Sequence, residues 1–393
     1  MSRFLSLFPA VILLLALSCQ SRQHLNSEDP LSNRSYEIIT ADTPFLDLDE
    51  LTKTNFSFAD ARFLWASGDK VGIVSENGSQ LCFPIQDEDD GKTSAHFDGR
   101  GWALLSSTHY LAYYPFIADY DLNYQAVPVS YAGQEQSGNN SYANLGRYAF
   151  WVAQGVSPDE GQLHFSFKDV GSVIRFSVPV VAGQYTSASM ILDDELFALQ
   201  GTVDLSAGDG ILTNPLMSSQ LDLALNECTV ANDGENLVGF LMTYPLNASG
   251  HPIRVLSTLA DGTSVLSVIA GRSFDVGKAA AISAKTSVCP ASVQAGNEGG
   301  SITVKLIKSA ADVVVNVACG NDWLSQTSST TVGNVTSYVF TVAENPGAGR
   351  GGTISFTEEA TGLVNTVKIV QSKAGSIIGI GGWEVENHSG NAE

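Results

Sequence analysis

Short runs in which apolar and polar residues alternate are the feature that most constrains this chain. Residues 70–74 (KVGIV), 163–167 (LHFSF) and 171–181 follow the pattern, and Gly, Asn and Asp recur between such runs. A period of two places every second side chain on one face of a β-strand. Helical periodicity is nearly absent, although a parallel α/β sheet needs helical crossovers between its strands. The pattern therefore predicts an all-β chain of stacked sandwiches.

The net charge of the chain limits the classes of molecule that it can bind. The 393 residues carry a formal net charge of −21, and only 16% of them are charged. Lys and Arg are sparse and scattered, so the sequence offers no basic patch to a polyanion. This balance argues against nucleic acid as a partner, and equally against direct binding to an anionic lipid surface.

The N-terminus has the pattern of an export signal. Arg3 precedes an almost wholly apolar run over residues 4–17, which is short for a permanent transmembrane helix. The LALSC sequence that follows resembles the bacterial lipobox, which implies cleavage before Cys19 and attachment of lipid to its sulfur. We therefore predict a lipoprotein signal peptide at residues 1–18 and a polar tether at residues 19–35. The lipid would anchor the chain in the outer membrane, at the cell surface; an ordinary secretory signal with an incidental cysteine is the alternative.

The other four cysteines show neither a CxxC pair nor metal-ligand spacing with His. They are Cys82, Cys228, Cys289 and Cys319. Isolated buried thiols are the favoured interpretation, and a disulfide between Cys289 and Cys319 in an exported protein stays open.

Three segments carry a family resemblance. They are residues 63–73 (FLWASGDKVGI), 110–116 (YLAYYPF) and 271–278 (GRSFDVGK). These segments resemble strands of the fimbrillin-like proteins, the lipoproteins that form or decorate type V pili. The resemblance implies two transthyretin-like β-sandwich domains, which we place at residues 36–160 and 161–285. It also implies a surface role beside pilin-like partners and names no chemistry.

The strand pattern restarts after residue 285. The segments that carry a second resemblance are residues 299–304, 321–324, 340–346, 350–356 and 367–371. Together they resemble the BACON domain, an Ig-like β-sandwich, which we place at 286–373. The resemblance implies binding of host or dietary glycans, or a role as a spacer. Trp323, which follows a turn, either stacks on a sugar ring or fills the sandwich core, and the core is favoured.

Apparent catalytic and cofactor motifs do not fit their context. Residues 347–352 match G-x-G-x-x-G, but an alternating strand pattern follows them where a dinucleotide site needs a helix. The acidic run at residues 87–91 lacks the spacing of a calcium loop, so we predict a solvated acidic loop. The six histidines are dispersed, and no nucleophile signature is present. We predict no enzyme activity, no cofactor and no metal site.

One stretch combines flat apolar rings with side-chain amides. Its members are Tyr120, Tyr124, Tyr131, Tyr142, Asn123, Gln125, Gln134, Gln136, Asn139 and Asn140. Sugars and protein partners both suit such a surface, so the four tyrosines and Trp323 are the candidate ligand-binding residues. The favoured alternative is a long connection whose tyrosines pack on the sandwich.

The C-terminal tail, residues 374–393, carries more apolar surface than a free terminus normally does. Ile377, Ile378, Ile380 and Trp383 make it a candidate assembly strand for a sheet edge of this chain or of a partner. Gly375, Gly379, Gly381 and Gly382 favour a frayed end instead, and the two interpretations are evenly balanced.

Together these patterns predict a lipid-anchored, non-catalytic surface protein that acts in adhesion or in fimbria assembly. The alternative is a glycan-binding lipoprotein of a polysaccharide capture and uptake system, in which the C-terminal module is the spacer or the binder.

Overall fold

The computed structural model describes residues 33–34, 38–44, 47–48, 63–75, 80–98, 104–105, 109–119, 122–156 and 162–375. This part of the chain is all-β, as the alternation predicts, and its only helices are the short 3-10 turns Asp87–Asp89 and Leu145–Arg147. No helix in the described ranges is long and apolar enough to cross a membrane. Some predicted residues lie outside these ranges, namely Cys19, Tyr120, Ile377, Ile378, Ile380 and Trp383.

The strands fall into three groups along the chain. Before residue 160 they are β1 (Asn33–Arg34), β2 (Ile38–Asp42), β3 (Asp47–Leu48), β4 (Lys70–Ser75), β5 (Leu81–Pro84), β6 (Ser94–Phe97), β7 (Leu104–Leu105), β8 (His109–Tyr114), β9 (Val127–Ser130), β10 (Gln134–Ser137) and β11 (Trp151–Val156). Up to residue 285 they are β12 (Gln162–Ser166), β13 (Lys168–Asp169), β14 (Ser172–Pro179), β15 (Gly183–Ile191), β16 (Phe197–Val203), β17 (Leu212–Ser218), β18 (Gln220–Val230), β19 (Asn236–Thr243), β20 (Leu246–Asn247), β21 (Ile253–Leu259), β22 (Ser264–Ile269), β23 (Ser273–Phe274) and β24 (Lys278–Ser283). The last group is β25 (Thr286–Cys289), β26 (Ser292–Ala295), β27 (Gly300–Lys308), β28 (Val315–Cys319), β29 (Leu324–Val332), β30 (Val335–Val342), β31 (Arg350–Glu358) and β32 (Val364–Gln371).

The first core is aromatic. Trp65 and Trp151 are both buried, and their ring centroids lie 5.3 Å apart in a T-shaped contact. Tyr114 stacks on Trp151 with centroids 4.4 Å apart. Such ring pairs add about 0.5–1.5 kcal/mol each beyond the burial of their area. This core receives side chains from the sheet β13-β11-β8-β4-β5 and from the sheet β12-β2-β6.

The two halves predicted at residues 36–160 and 161–285 share strands. β9 pairs antiparallel with β16, and β10 pairs parallel with β18, so a segment of the first half extends sheets of the second. In the opposite direction β12 pairs parallel with β2. The first core also contains residues from the second half, including Phe240 and Met242. The halves are therefore interlocked, and their division into two domains stays a prediction.

One sheet continues from the second half into the C-terminal unit. Its order is β10-β18-β15-β21-β22-β25-β27-β30-β29. At the junction β22 pairs with β25, and the buried hydroxyls of Ser267 and Ser287 share a hydrogen bond of 2.6 Å. Ile307 and Val335 of the C-terminal unit pack in the core of the second half. The C-terminal unit has its own core as well, which includes Phe340 and Phe356. Its second sheet has the order β26-β32-β31-β28.

Candidate functional site

The described tyrosines of the predicted ligand surface differ in exposure. Tyr131 is fully buried and Tyr124 is half-buried against the first core. Tyr142 is 63% exposed, and its ring meets Phe240 edge-on with centroids 5.9 Å apart. A ligand has no access to the ring of Tyr131, because hydrophobic collapse has placed it inside the protein. The packing interpretation therefore describes Tyr131 and Tyr124, and among the described candidate tyrosines Tyr142 alone has an exposed ring.

Two amides of this stretch, those of Gln134 and Gln136, face inward and bind backbone, whereas Asn123, Gln125 and Asn140 are exposed. The amide oxygen of Gln134 accepts from the Met242 N–H at 2.8 Å, and its Nε2 donates to the Met242 carbonyl at 2.6 Å. The amide oxygen of Gln136 accepts from the Phe240 N–H at 2.9 Å, and its Nε2 donates to the Val238 carbonyl at 3.0 Å. Both side chains are buried. They are structural groups and are not available to a sugar.

Asn139 continues the same arrangement along β19. Its Oδ1 accepts from the Val238 N–H at 2.8 Å, and its Nδ2 donates to the Asn236 carbonyl at 3.0 Å. We call Gln134, Gln136 and Asn139 the amide ladder, because their side chains satisfy successive outward backbone groups of β19 as a neighbouring strand would. β19 ends its own sheet, and the ladder seals that edge. The Gln-x-Gln spacing was the signal that the sequence offered for it.

Buried polar groups surround the start of the ladder. Asp169 is buried, and its Oδ1 accepts from the Gly171 N–H at 2.8 Å. Its Oδ2, the Trp151 indole N–H and the Tyr131 hydroxyl make no hydrogen bond of good geometry in the described part of the chain, although the indole lies near enough to Asp169 to lower the pKa of its carboxyl. Burial raises the pKa of the Asp169 carboxyl to about 7, although the Gly171 N–H lowers it. The chain therefore holds a neutral carboxylic acid in its core under mildly acidic conditions.

The acidic run at residues 87–91 is not simply a solvated loop, so that prediction is wrong for Asp89. Asp89 is buried and accepts from Lys92 at 2.7 Å and from the His96 N–H at 2.7 Å. The Lys92 hydrogen bond leads the effects that hold the pKa of Asp89 at about 2, with the His96 hydrogen bonds adding to it. The carboxylate organises its own turn and is not free to bind a cation. No group of three or more His, Cys, Asp or Glu side chains in the described ranges is placed to hold a metal ion.

Trp323 is covered on one face. The guanidinium of Arg350 lies 4.4 Å from the centre of its ring and is itself fixed by hydrogen bonds to Gln371 and to the Ala343 carbonyl. At Gly352 an added Cβ would lie only 2.6 Å from Cζ2 of the Trp323 ring. Trp323 is half-buried and packs against the C-terminal core. This placement matches the favoured interpretation of the sequence and leaves little of the ring for a sugar.

β29 presents a second edge, which lies open. Within the described part of the chain it pairs with β30 alone, and residues 325–332 are all exposed. The strand is built from Ser, Thr, Gln, Leu and Val and carries no charge. Edge strands are usually protected by charge or proline, and β29 has neither. We call its unpaired side the open edge; sequence reasoning missed it, because exposed Ser and Thr residues also occur in loops.

An exposed hydroxyl, imidazole and carboxylate lie together on the outer face of β2 and β12. The hydroxyl of Thr40 lies 2.7 Å from His164 Nδ1, and His164 Nε2 lies 3.3 Å from an Asp42 oxygen. This connectivity resembles a nucleophile relay. The three groups stand on an open sheet face, however, whereas catalysis needs a site that positions substrate and excludes water. The arrangement is therefore better described as a surface hydrogen-bond chain.

The cysteines and the clefts add no chemistry to these features. The described cysteines Cys82, Cys228, Cys289 and Cys319 are all free thiols. A cleft of about 350 Å³ at the junction of the second half and the C-terminal unit is lined by Asp233, Cys289 and Lys305 among others. Asp233 and Lys305 pair within it at 3.0 Å, and burial raises the pKa of the Cys289 thiol to about 11. The thiol is therefore unreactive at neutral pH.

Comparison with known proteins yields structural likeness alone. No protein-family model matches the chain, and no curated protein is significantly similar to it in sequence. A candidate cell adhesion protein from Bacteroides ovatus is similar at 12% identity and a TM-score of 0.41, over 64% of this chain and 92% of the other. A fimbrial protein from the same species gives 9% identity and a TM-score of 0.31, over 64% of this chain and 49% of the other. The fimbrial anchor protein Mfa2 from Porphyromonas gingivalis gives 10% identity and a TM-score of 0.26, over 61% of this chain and 80% of the other. At these scores the likeness carries no argument about function.

Proposed function

We propose that this chain is a lipid-anchored, non-catalytic surface protein that acts in adhesion or in fimbria assembly. The observation that supports the proposal most directly is the nine-stranded sheet, which continues from the second half into the C-terminal unit through β22 and β25. Backbone hydrogen bonds and the shared core residues Ile307 and Val335 resist bending at this junction. A stiff junction suits a protein that transmits force between an anchored end and a distant partner.

The anchor rests on the N-terminal sequence. The short apolar run and Cys19 support export and lipid attachment in the outer membrane. We expect Cys19→Ala to abolish incorporation of radiolabelled palmitate and to release the protein from the membrane fraction. A Cys19→Ala protein that still takes up label and stays membrane-bound would remove the anchor from the proposal.

Attachment itself is tested in cells. A strain that lacks the chain should adhere less to immobilised pilin-like subunits or to neighbouring cells, and the natural chain should restore adherence where Cys19→Ala does not. Equal adherence of the deletion strain and its parent would contradict the proposal.

The glycan-capture alternative needs an accessible sugar platform. Tyr131 is buried and Trp323 is covered by Arg350, which favours adhesion or assembly over capture. A purified Cys19→Ala chain on an array of mucin and dietary glycans separates the two functions. Binding that is lost in Tyr142→Ala would support the alternative, since Tyr142 is the exposed ring among the described tyrosines.

A further inference from the structure

The hairpin of β29 and β30 fixes which backbone groups the open edge presents. The two strands are joined by the two-residue loop 333–334, and Gly333 has the positive φ of 60° that a type II′ turn needs at its first position. The residue before such a loop, Val332, forms a hydrogen-bonded pair with β30, and bonded and non-bonded pairs then alternate along the hairpin. The backbone groups of Ser329 and Thr331 therefore point away from β30.

The last five residues of the open edge, 328–332, form a regular stretch. β29 has a register shift before Ser328, and from there to the end of the strand it pairs with β30 residue by residue. Thr330 is at the centre of this stretch. Ser329 and Thr331, which carry the outward groups, flank it on either side. The stretch is therefore symmetric about Thr330 in the hydrogen bonds that it offers to another strand.

The hairpin that contains this stretch carries no formal charge. Residues 324–342, which are β29, the loop and β30, include no Asp, Glu, Lys or Arg, although 16% of the chain is charged. The net charge of −21 makes two copies of the chain repel each other, so a contact between them is least opposed where charge is absent. Charge on an edge strand normally prevents sheets from joining, and this edge lacks it. The charge distribution therefore favours a second copy as the occupant of the open edge.

We propose that two copies of this chain associate edge to edge through β29, in antiparallel pairing about a two-fold axis at Thr330. Ser329 of each copy then lies opposite Thr331 of the other, and the outward backbone groups of both residues form hydrogen bonds across the axis. Val332 of one copy lies opposite Ser328 of the other. Every opposed pair joins small uncharged side chains, as a self-complementary contact requires.

This association goes beyond the proposed function, because neither lipid attachment nor adherence requires it. Sedimentation equilibrium of the purified Cys19→Ala chain tests it under reducing conditions, in about 0.5 M salt, which screens the repulsion between acidic copies. The mass should rise with protein concentration towards that of a dimer. Loss of the dimer would leave palmitate labelling and adherence unchanged, so the two proposals fail separately.

A charge placed on the axis should weaken the dimer. We expect Thr330→Lys to raise the dissociation constant about fivefold, because two like charges then face each other across the strands. Thr341→Lys is the matched control, since Thr341 is an exposed threonine on β30, which is paired on both sides. The control should associate like the parent chain.

A cross-link tests the register. Residues that face each other on the axis, at a position without hydrogen bonds, have Cα atoms about 4.5 Å apart, which a disulfide can span. Thr330→Cys should therefore give a disulfide-linked dimer on mild oxidation. Val332→Cys is 77% exposed at the natural residue but lies two residues off the axis, so its two copies are more than about 13 Å apart and should not link. The parent chain, whose described cysteines are free thiols, is the second control.

Three results would overturn the proposal. One is a chain that stays monomeric across the concentration series, and β29 amides protected from hydrogen exchange in that monomer would assign the edge to another segment of the same chain. Another is equal association of Thr330→Lys and Thr341→Lys, which would place the contact on a different surface. The third is equal cross-linking of Thr330→Cys and Val332→Cys, which would exclude the two-fold axis at Thr330.

Discussion

The edges of β19 and β29 present the same physical problem and answer it in opposite ways. Every second backbone group of an edge strand points away from its sheet and needs a hydrogen-bond partner. At β19 the amide ladder supplies those partners from side chains. At β29 no further strand of the described part of the chain supplies them, and residues 325–332 are exposed to water.

The two edges differ because β19 is buried and β29 is exposed. β19 is buried at all residues after the first, whereas β29 is exposed at all residues after the first. A buried backbone group without a partner costs about 1–3 kcal/mol, so the edge of β19 must be paired inside the protein. A solvated edge carries no such penalty and stays available for another strand. The sealed edge therefore contributes to stability, whereas the backbone groups of the open edge are left to solvent.

The largest expected effect comes from removing the ladder. The double substitution Gln134→Ala and Gln136→Ala should lower the free energy of unfolding by about 4–6 kcal/mol, because it removes the side-chain partners of the buried Met242 N–H and carbonyl and of the Phe240 N–H. Urea titration followed by tryptophan fluorescence measures it. Glu135→Ala, between the two glutamines and exposed, is the matched control and should change stability by less than about 0.5 kcal/mol. A double variant as stable as the control would mean that water can replace the ladder.

The next largest effect is a pH dependence of stability that arises at Asp169, beside the start of the amide ladder, and does not involve β29. Burial raises the pKa of Asp169 from 3.8 to about 7, so the folded chain binds a proton more tightly than the unfolded chain. The stability that this protonated carboxyl contributes is complete below the unfolded pKa and is lost as pH rises towards 7.

Asp169→Asn cannot ionise and keeps an oxygen for the Gly171 N–H. We expect it to raise the free energy of unfolding at pH 8 by about 2–3 kcal/mol and to flatten the decline between pH 4 and pH 7. Urea titrations at several pH values in that interval measure both. A natural chain whose stability is constant across it would contradict the raised pKa. Exchange of the β29 amides, corrected for intrinsic pH dependence, should not follow this titration.

A smaller effect is expected beside the open edge. At Gly352 an added Cβ would approach the Trp323 ring to 2.6 Å, so Gly352→Ala should destabilise the C-terminal unit by about 1–2 kcal/mol. Gly351→Ala is the control, because its nearest atom would lie 4.0 Å away. Thermal unfolding of the full chain compares them. Equal midpoints would show that Trp323 moves freely and leave its ring available to a ligand.

The smallest effect is expected on β29 itself. The side chain of Thr330 is exposed on the open edge, so Thr330→Ala should change the free energy of unfolding by less than about 0.5 kcal/mol. The same urea titration measures it. A loss above about 1 kcal/mol would mean that β29 is covered along this face in the folded chain.

The local alternation of apolar and polar residues was enough to predict the fold class and part of the candidate site. Alternation at residues 163–167 predicted a strand, and β12 is that strand. The favoured core position of Trp323 agrees with its packing, because a large aromatic ring gains more from burial than from solvent. The strand β31 begins at Arg350, within the glycine-rich run at residues 347–352, and continues through the alternating segment that predicted a strand.

The inward direction of the amides could not be predicted. Gln134 and Gln136 are polar, and polar residues in a tyrosine-rich stretch favour a surface interpretation. Their burial depends on β19, which lies about a hundred residues further along the chain. Asp89 was missed for a different reason: a run of acidic residues favours a solvated loop, and its burial is evident only once the turn places its carboxylate against Lys92 and the His96 N–H.

The sequence by itself determined that this protein is all-β, acidic, and free of recognisable catalytic motifs, because periodicity, charge and motif spacing are local properties. It also supports the prediction of a lipid anchor at Cys19. Only the tertiary structure decided how strands cross between the predicted halves, which edge is sealed and which is open. The physical reason is that an edge exists only after distant strands have paired, and its treatment depends on whether the completed fold leaves it in water.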